Sequence, residues 1–252
     1  VIVDTGGANL ASVVHALARL GEEAEVSAAI VFLLSPAAAY ISGACINIDG
    51  LKAARTGREP FNYLVGDHFI QPPAVEPLKK DFPDLKEPGF LTESDIGSGI
   101  HGAFEKLLQD LKSPEVSKIV SEKLDIDLVG KPKMITIRKL SAAKDGRIHT
   151  DGEAKIATML TYLNDKWDGT GAGCLRVLKN DHDFEDYVEQ VSPLTGTVFA
   201  FRRSDWSWHG HTPFVGERRV VQMTWLRSEA DVARKEKRGA LSHSLKKMFK
   251  FG

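Results

Sequence analysis

From residue 134 to residue 226 the chain is a series of short apolar runs cut by turn residues. Met134-Ile135-Thr136-Ile137-Arg138 and the runs 155–163 (KIATMLTYL), 174–178 (CLRVL), 196–201 (GTVFAF) and 218–226 (RRVVQMTWL) have the length and the β-branched and aromatic content of strands. Asn164-Asp165, a glycine-rich bend at 169–173 and Gly196 supply the breaks. Short strands at near-regular spacing predict an antiparallel sandwich or barrel. Ahead of them the period changes. Phe104, Leu107, Leu108 and Leu111 share one face of a helix over 102–111, which should cover one side of the β core. Ser113-Pro114-Glu115 opens a second helix running to about residue 124, with proline in its first turn. Residues 60–90, rich in proline and charge, read as an irregular lead-in with one short strand.

The first fifty-odd residues follow another pattern. Val1-Ile2-Val3 is strand-like, and Leu10, Val13, Val14, Leu17 and Leu20 form a helical stripe. An apolar helix over 28–34 and a strand over 40–50 follow. The run 28–48 carries no charge and is long enough to cross a bilayer, but Pro36, Gly43 and Asn47 break it, so no membrane span is expected. Neither is a signal peptide, because no basic leader precedes it. A loose basic stretch at 51–59 marks a boundary. The chain therefore divides into an α/β fragment (1–58), a mainly β domain (59–228) and a basic C-terminal helix (229–252). The tail from Arg227 to Gly252 has eight Lys/Arg against three acids, with Leu241, Leu245 and Met248 at helical spacing. A helix packed on the barrel or on a second subunit is the simple reading of it, which leaves homo-oligomerisation open. A membrane-surface or polyanion contact is the alternative.

Composition narrows the class. The chain has 252 residues, 42% apolar and 27% charged, as expected of a soluble globular protein. A net charge of −1 gives no general attraction to nucleic acid, and no nucleic-acid partner is expected. Two cysteines, Cys45 and Cys174, make neither a disulfide framework nor a zinc pair, consistent with a reducing, cytoplasmic setting.

Chemistry is concentrated in two stretches, Arg147-Ile148-His149-Thr150-Asp151 and Ser207-Trp208-His209-Gly210-His211. In an extended segment His149 and Asp151 point to the same face. A histidine from another strand completes two imidazoles and one carboxylate. That set leaves open positions on the metal and suits a ferrous oxygenase better than a closed structural zinc. His209 is the preferred third ligand and His211 its rival. On the strand after Gly216, Arg219, Val221 and Met223 share a face taken as the barrel interior, with Arg218 outward. A register slip of one residue would exchange the two arginines.

The segment from about 60 to 226 resembles the iron- and 2-oxoglutarate-dependent dioxygenases, in the branch that includes prolyl 4-hydroxylases. His149-Thr150-Asp151, Tyr162-Leu163-Asn164, Gly171-Ala172-Gly173, Ser207-Trp208-His209-Gly210 and Gly216-Glu217-Arg218-Arg219 carry the resemblance. It implies a double-stranded β-helix (jelly-roll) core with flanking helices. It implies Fe(II) on His149, Asp151 and His209, 2-oxoglutarate as co-substrate and O₂ as oxidant. Arg219 would hold the distal carboxylate of 2-oxoglutarate, with Tyr162 adding a hydroxyl contact. The expected reaction hydroxylates an unactivated C–H bond and releases succinate and CO₂. The substrate, a small molecule or a protein side chain, is not named by these residues. The alternative is a jelly-roll binding module that keeps the metal site without catalysis.

Two shorter resemblances precede it. Residues 1–26 resemble the opening strand and helix of the glutamine amidotransferase subunit of imidazole glycerol phosphate synthase. Residues 27–50 resemble the end of a short-chain dehydrogenase. Neither piece has its family's catalytic residues, so both read as a chimeric remnant or a small α/β appendage.

Overall fold

The computed structural model describes residues 44–167 and 170–237. In chain order the strands are β1 (Arg55–Gly57), β2 (Tyr63–Gly66), β3 (Leu91–Thr92), β4 (Lys133–Ser141), β5 (Lys155–Tyr162), β6 (Leu175–Leu178), β7 (Tyr187–Val191), β8 (Val198–Arg202), β9 (His209–Gly210) and β10 (Gly216–Leu226). The helices are α1 (Ile48–Ala53), α2 (Val75–Lys80), α3 (Glu93–Ile96), α4 (Gly102–Leu111) and α5 (Pro114–Leu124). Residues 229–237 are also helical. None of the described helices is long and apolar enough to cross a membrane.

The strands form a seven-stranded sheet, β1-β2-β8-β5-β10-β4-β3, and a three-stranded sheet, β7-β6-β9, antiparallel throughout. Two antiparallel sheets joined by crossovers are the jelly-roll architecture expected from the strand spacing.

Alternation along each strand sorts the large sheet into two unlike faces. Val198 and Ala200 of β8, Met159 of β5, and Val221, Met223 and Trp225 of β10 join one apolar cluster with the inward faces of α4 and α5. Trp225 is fully buried there, and its indole N–H donates to Ser117 Oγ at 3.2 Å. Truncating it to alanine should remove about 3–5 kcal/mol of stability. The other face carries Tyr63, Val65, Leu160, Tyr162, Phe199, Phe201 and Val220, which pack against Leu175, Val177 and Val191 of the small sheet. This second cluster lies between the sheets, and the candidate chemistry gathers at its rim.

The two long helices follow from their sequences. Ser113 caps α5 by accepting from Val116 N, Pro114 sits in the first turn, and Asp125 ends the helix in the left-handed conformation at φ 53°. The apolar stripe of α4 buries Phe104, Leu107, Leu108 and Leu111, as its spacing predicts.

Several elements differ from the expectation. The strand expected over 40–50 is absent from its described part. Asn47 instead caps α1 by accepting from Gly50 N, which turns the chain into a helix at Ile48. Residues 44–57 also share the core of the β domain. Cys45, Ile46, Leu51 and Ala54 enter the helix-side cluster, and β1 extends the large sheet through β2. The boundary expected after residue 58 thus falls within a continuous body. Segment 60–90 holds helix α2 as well as a strand. The expected features of 1–43, and Leu241, Leu245 and Met248 of the tail, lie outside the described residues.

Candidate metal centre

His149 and His209 are joined through their backbones before their side chains are considered. His149 N donates to His209 O and His209 N to His149 O, both at 3.0 Å, a single antiparallel bridge. His209 lies in the two-residue strand β9, paired with Val177 of β6. The bridge brings the rings to 4.4 Å between centroids. Each ring is then turned by its own neighbourhood. His149 Nδ1 lies 2.8 Å from Arg147 O, and His209 Nδ1 lies 2.9 Å from Ser207 O. A carbonyl at Nδ1 fixes the proton there and leaves the Nε2 lone pair for a metal.

Asp151 completes the group, with ligand atoms of the three residues all within 4.8 Å of one another. Its carboxylate is buried and accepts from Lys155 Nζ and Thr158 Oγ1. Its backbone carbonyl accepts from Arg203 Nε at 3.0 Å. Burial alone would raise the Asp151 pKa. The charges of Lys155 and His209 and the two hydrogen bonds outweigh it and hold the group at about 2. Burial drives His209 down to about 4, against the pull of Asp151. At neutral pH the centre is one carboxylate and a neutral buried imidazole, the forms a metal requires. Two imidazoles and a carboxylate, with His149 on the open side, fit ferrous iron.

His211 is not part of this group. It is buried two residues further on, against Gly146, with Nδ1 2.9 Å from Thr212 O. Burial, followed by the charge of Arg218, lowers it to about 4.

The structure exchanges the two arginines expected on β10. Arg218 turns between the sheets and is 3% exposed; its Nε donates to Gly173 O at 2.8 Å and one terminal nitrogen lies 3.4 Å from Tyr162 Oη. Arg219 turns to the helix side, where it pairs with Glu217 and stacks over Phe82, while its backbone N–H donates to Asn164 Oδ1 at 2.6 Å. The correction is one of parity. Val221 and Met223, expected beside Arg219 on the interior face, lie instead on the apolar face beneath the helices. The face toward the site is that of Val220, and Arg218 lies on it. Tyr162 is fully buried, and Arg218 lies over its ring with 5.2 Å to the centroid.

Sequence reasoning did not single out Lys155 and Thr158. Both lie on β5, and period-two counting back from Tyr162 would have placed Thr158 on the inner face. Just before His209, Trp206 is exposed and Arg203 is anchored to Asp151 O and Asp205.

Residues 139–227, which hold the three candidate ligands together with Tyr162 and Arg218, match the model of the 2OG-Fe(II) oxygenase superfamily. The segment that carries the site is thus similar to the Fe(II)- and 2-oxoglutarate-dependent oxygenases. Similar solved structures include a Pseudomonas putida prolyl-4-hydroxylase, 18% identical over 71% of this chain and 90% of that one, with a TM-score of 0.49. A Phytophthora capsici prolyl 4-hydroxylase is 17% identical over 68% of this chain and 65% of that one, TM-score 0.46. A viral collagen prolyl hydroxylase from Paramecium bursaria Chlorella virus-1 is 16% identical over 66% and 95%, TM-score 0.45. A comparison with curated proteins gives no match.

Proposed function

We propose that the protein hydroxylates an unactivated C–H bond of an organic substrate, with 2-oxoglutarate converted to succinate and CO₂. The observation that carries this reading is the pairing of two sites on one inner surface. His149, Asp151 and His209 converge at one end. At the other, Arg218 is buried beside Tyr162 and forms no ion pair among the described residues. A buried guanidinium without an acid is unfavourable unless an anion joins it.

In this reading His149, Asp151 and His209 would hold the iron, which would supply O₂ activation. Arg218 grips the distal carboxylate of 2-oxoglutarate with charge-assisted hydrogen bonds, and Tyr162 adds its hydroxyl. This role falls to Arg218 because of the face it occupies. Thr158 and Lys155 fix the rotamer of Asp151, whose carboxylate would serve as a metal ligand. Phe201, with its ring 4.5 Å from that of His209, and the apolar surface of Phe199 and Leu160 keep water from the reacting centre.

The test is an anaerobic titration of apo-protein with Fe(II) and 2-oxoglutarate, following the visible charge-transfer band of the chelate. Wild type should develop the band, His149→Ala should lack it, and Arg218→Ala should need far more 2-oxoglutarate. If wild type gives no band and binds Fe(II) no better than His149→Ala, the enzymatic reading fails.

A further inference from the structure

The inner surface has two unlike walls. On β2, β5 and β8 it is Tyr63, Val65, Leu160, Phe199 and Phe201. On β4 and β10 it is polar. The register sets Arg138 opposite Val220, Thr136 opposite Gln222 and Met134 opposite Thr224, so Thr136, Arg138, Gln222 and Thr224 share the face of Val220. Arg138 Nε, Thr136 Oγ1 and Thr224 Oγ1 are buried without a hydrogen-bond partner among the described residues. Unpaired buried polar atoms are rare, and a group of three on one wall marks a surface that meets polar ligand atoms.

Arg138 is the charged member. It is 8% exposed, and its nearest acid, Asp145, lies at 3.6 Å, beyond a well-formed bidentate pair. The Asp145 carboxylate also accepts from Ala142 N, within its own turn. Arg176 of the small sheet shows how a structural arginine of equal burial is satisfied here. Its Nε donates to Gln190, and a terminal nitrogen donates to Phe184 O at 3.0 Å and to Glu185 at 2.6 Å. Arg138 has no such set. Its guanidinium lies 4.1 Å from the centroid of the Phe90 ring, which is itself exposed, so the group sits close to the surface. Arg218 is close enough to disfavour the charge on Arg138, which makes two inner guanidiniums against one carboxylate. One anion, 2-oxoglutarate on Arg218, leaves Arg138 without a full partner.

We infer that Arg138 binds a carboxylate of the primary substrate, and that Thr136 and Gln222 contact the polar body of that substrate. The substrate class is therefore a carboxylate-bearing molecule, entering past Phe90 on the β4–β10 wall. This rests on the dioxygenase reading with 2-oxoglutarate on Arg218.

The experiment uses protein loaded anaerobically with Fe(II) and saturating 2-oxoglutarate. Thermal denaturation is followed against benzoate, with benzamide as the neutral isostere and ionic strength held constant. Benzoate should raise Tm saturably, benzamide should not, and Arg138→Gln should abolish the response. Its 2-oxoglutarate requirement, read from the chelate band, should change by less than about twofold. Should Arg138→Gln fold poorly, Arg138→Lys keeps the charge without the fork and should weaken the benzoate response by about threefold or more. Equal responses to benzoate and benzamide overturn the inference. So does a rise of about tenfold or more in the 2-oxoglutarate requirement of either variant, which would make Arg138 a second grip on the co-substrate. Absence of the band in wild type would instead indict the underlying reading.

Discussion

Lys155 forms an ion pair with Asp151 inside the protein, four residues away and on the strand that also supplies Thr158. Both partners are buried, at 9% and 6% exposure. Without a metal, the lysine is the cation that balances this carboxylate. Removing one member of a buried pair leaves the other uncompensated, a loss of about 3–5 kcal/mol. Lys155→Met should therefore lower Tm strongly in chelator, and added Zn(II) should restore much of the loss. Thermal denaturation with and without metal measures this; an equal loss in both conditions would mean that the lysine acts only through packing.

The two arginines of β10 should separate in function as they do in orientation. Arg218→Ala should raise the 2-oxoglutarate requirement by roughly 10- to 150-fold, the range for losing hydrogen bonds to a charged group. Arg219→Ala, on the helix side, should change it by no more than about threefold. Co-substrate dependence of the chelate band decides the matter, and reversed effects would reject the assignment of the inner face.

Acid should destabilise the metal-free protein in a defined window. His209 and His211 are each held at about 4 when folded, against an ordinary value of 6.5. Between these values the unfolded chain binds more protons, so stability is fully present above about pH 6.5 and falls as pH drops toward 4. Each histidine contributes up to roughly 3 kcal/mol of this change. Asp151, lowered from 3.8 to about 2, adds a further loss only below that window. Chemical denaturation at several pH values should show the decline, and His211→Gln should make it shallower. A flat profile from pH 7 to 4.5 would contradict the burial of both rings.

Gly146 should not tolerate a side chain. Its φ is +87°, and a Cβ there would lie 2.3 Å from His211 Nδ1. Gly146→Ala combines backbone strain with displacement of a buried ring and should destabilise by about 1–3 kcal/mol. Comparing its denaturation midpoint with that of Gly152→Ala, where nothing lies within 4 Å, isolates the effect.

Much of this was legible in the chain because local physics determined it. The strands of 134–226 announce themselves by composition and turn residues, and α5 by Ser113 and Pro114. His149, Asp151 and His209 stand out because few residue types bind metals. Face assignment was less legible. Alternation reveals which residues go together, as in Val221 with Met223, but not which set faces the second sheet. Here the helix-covered face carries the larger apolar cluster, so the more apolar set points away from the site. Arg218 for that reason entered only as the register-slipped alternative to Arg219, and Arg138 was not singled out. Strand β9 is two residues long, too short for any period, and exists because His209 pairs with Val177 and bridges to His149. Helix α1 was hidden by the apolar run before it, its one signal being the Asn47 cap.

The reciprocal backbone bridge between His149 and His209 has a bearing on how iron is acquired. The two donors meet only when the segment around 149 and the segment around 209, distant along the chain, have been zipped together beside β6. A nascent or misassembled chain has isolated histidines and no pocket. The donors of the candidate centre are therefore gathered only by the folded chain, so metal binding there is coupled to folding.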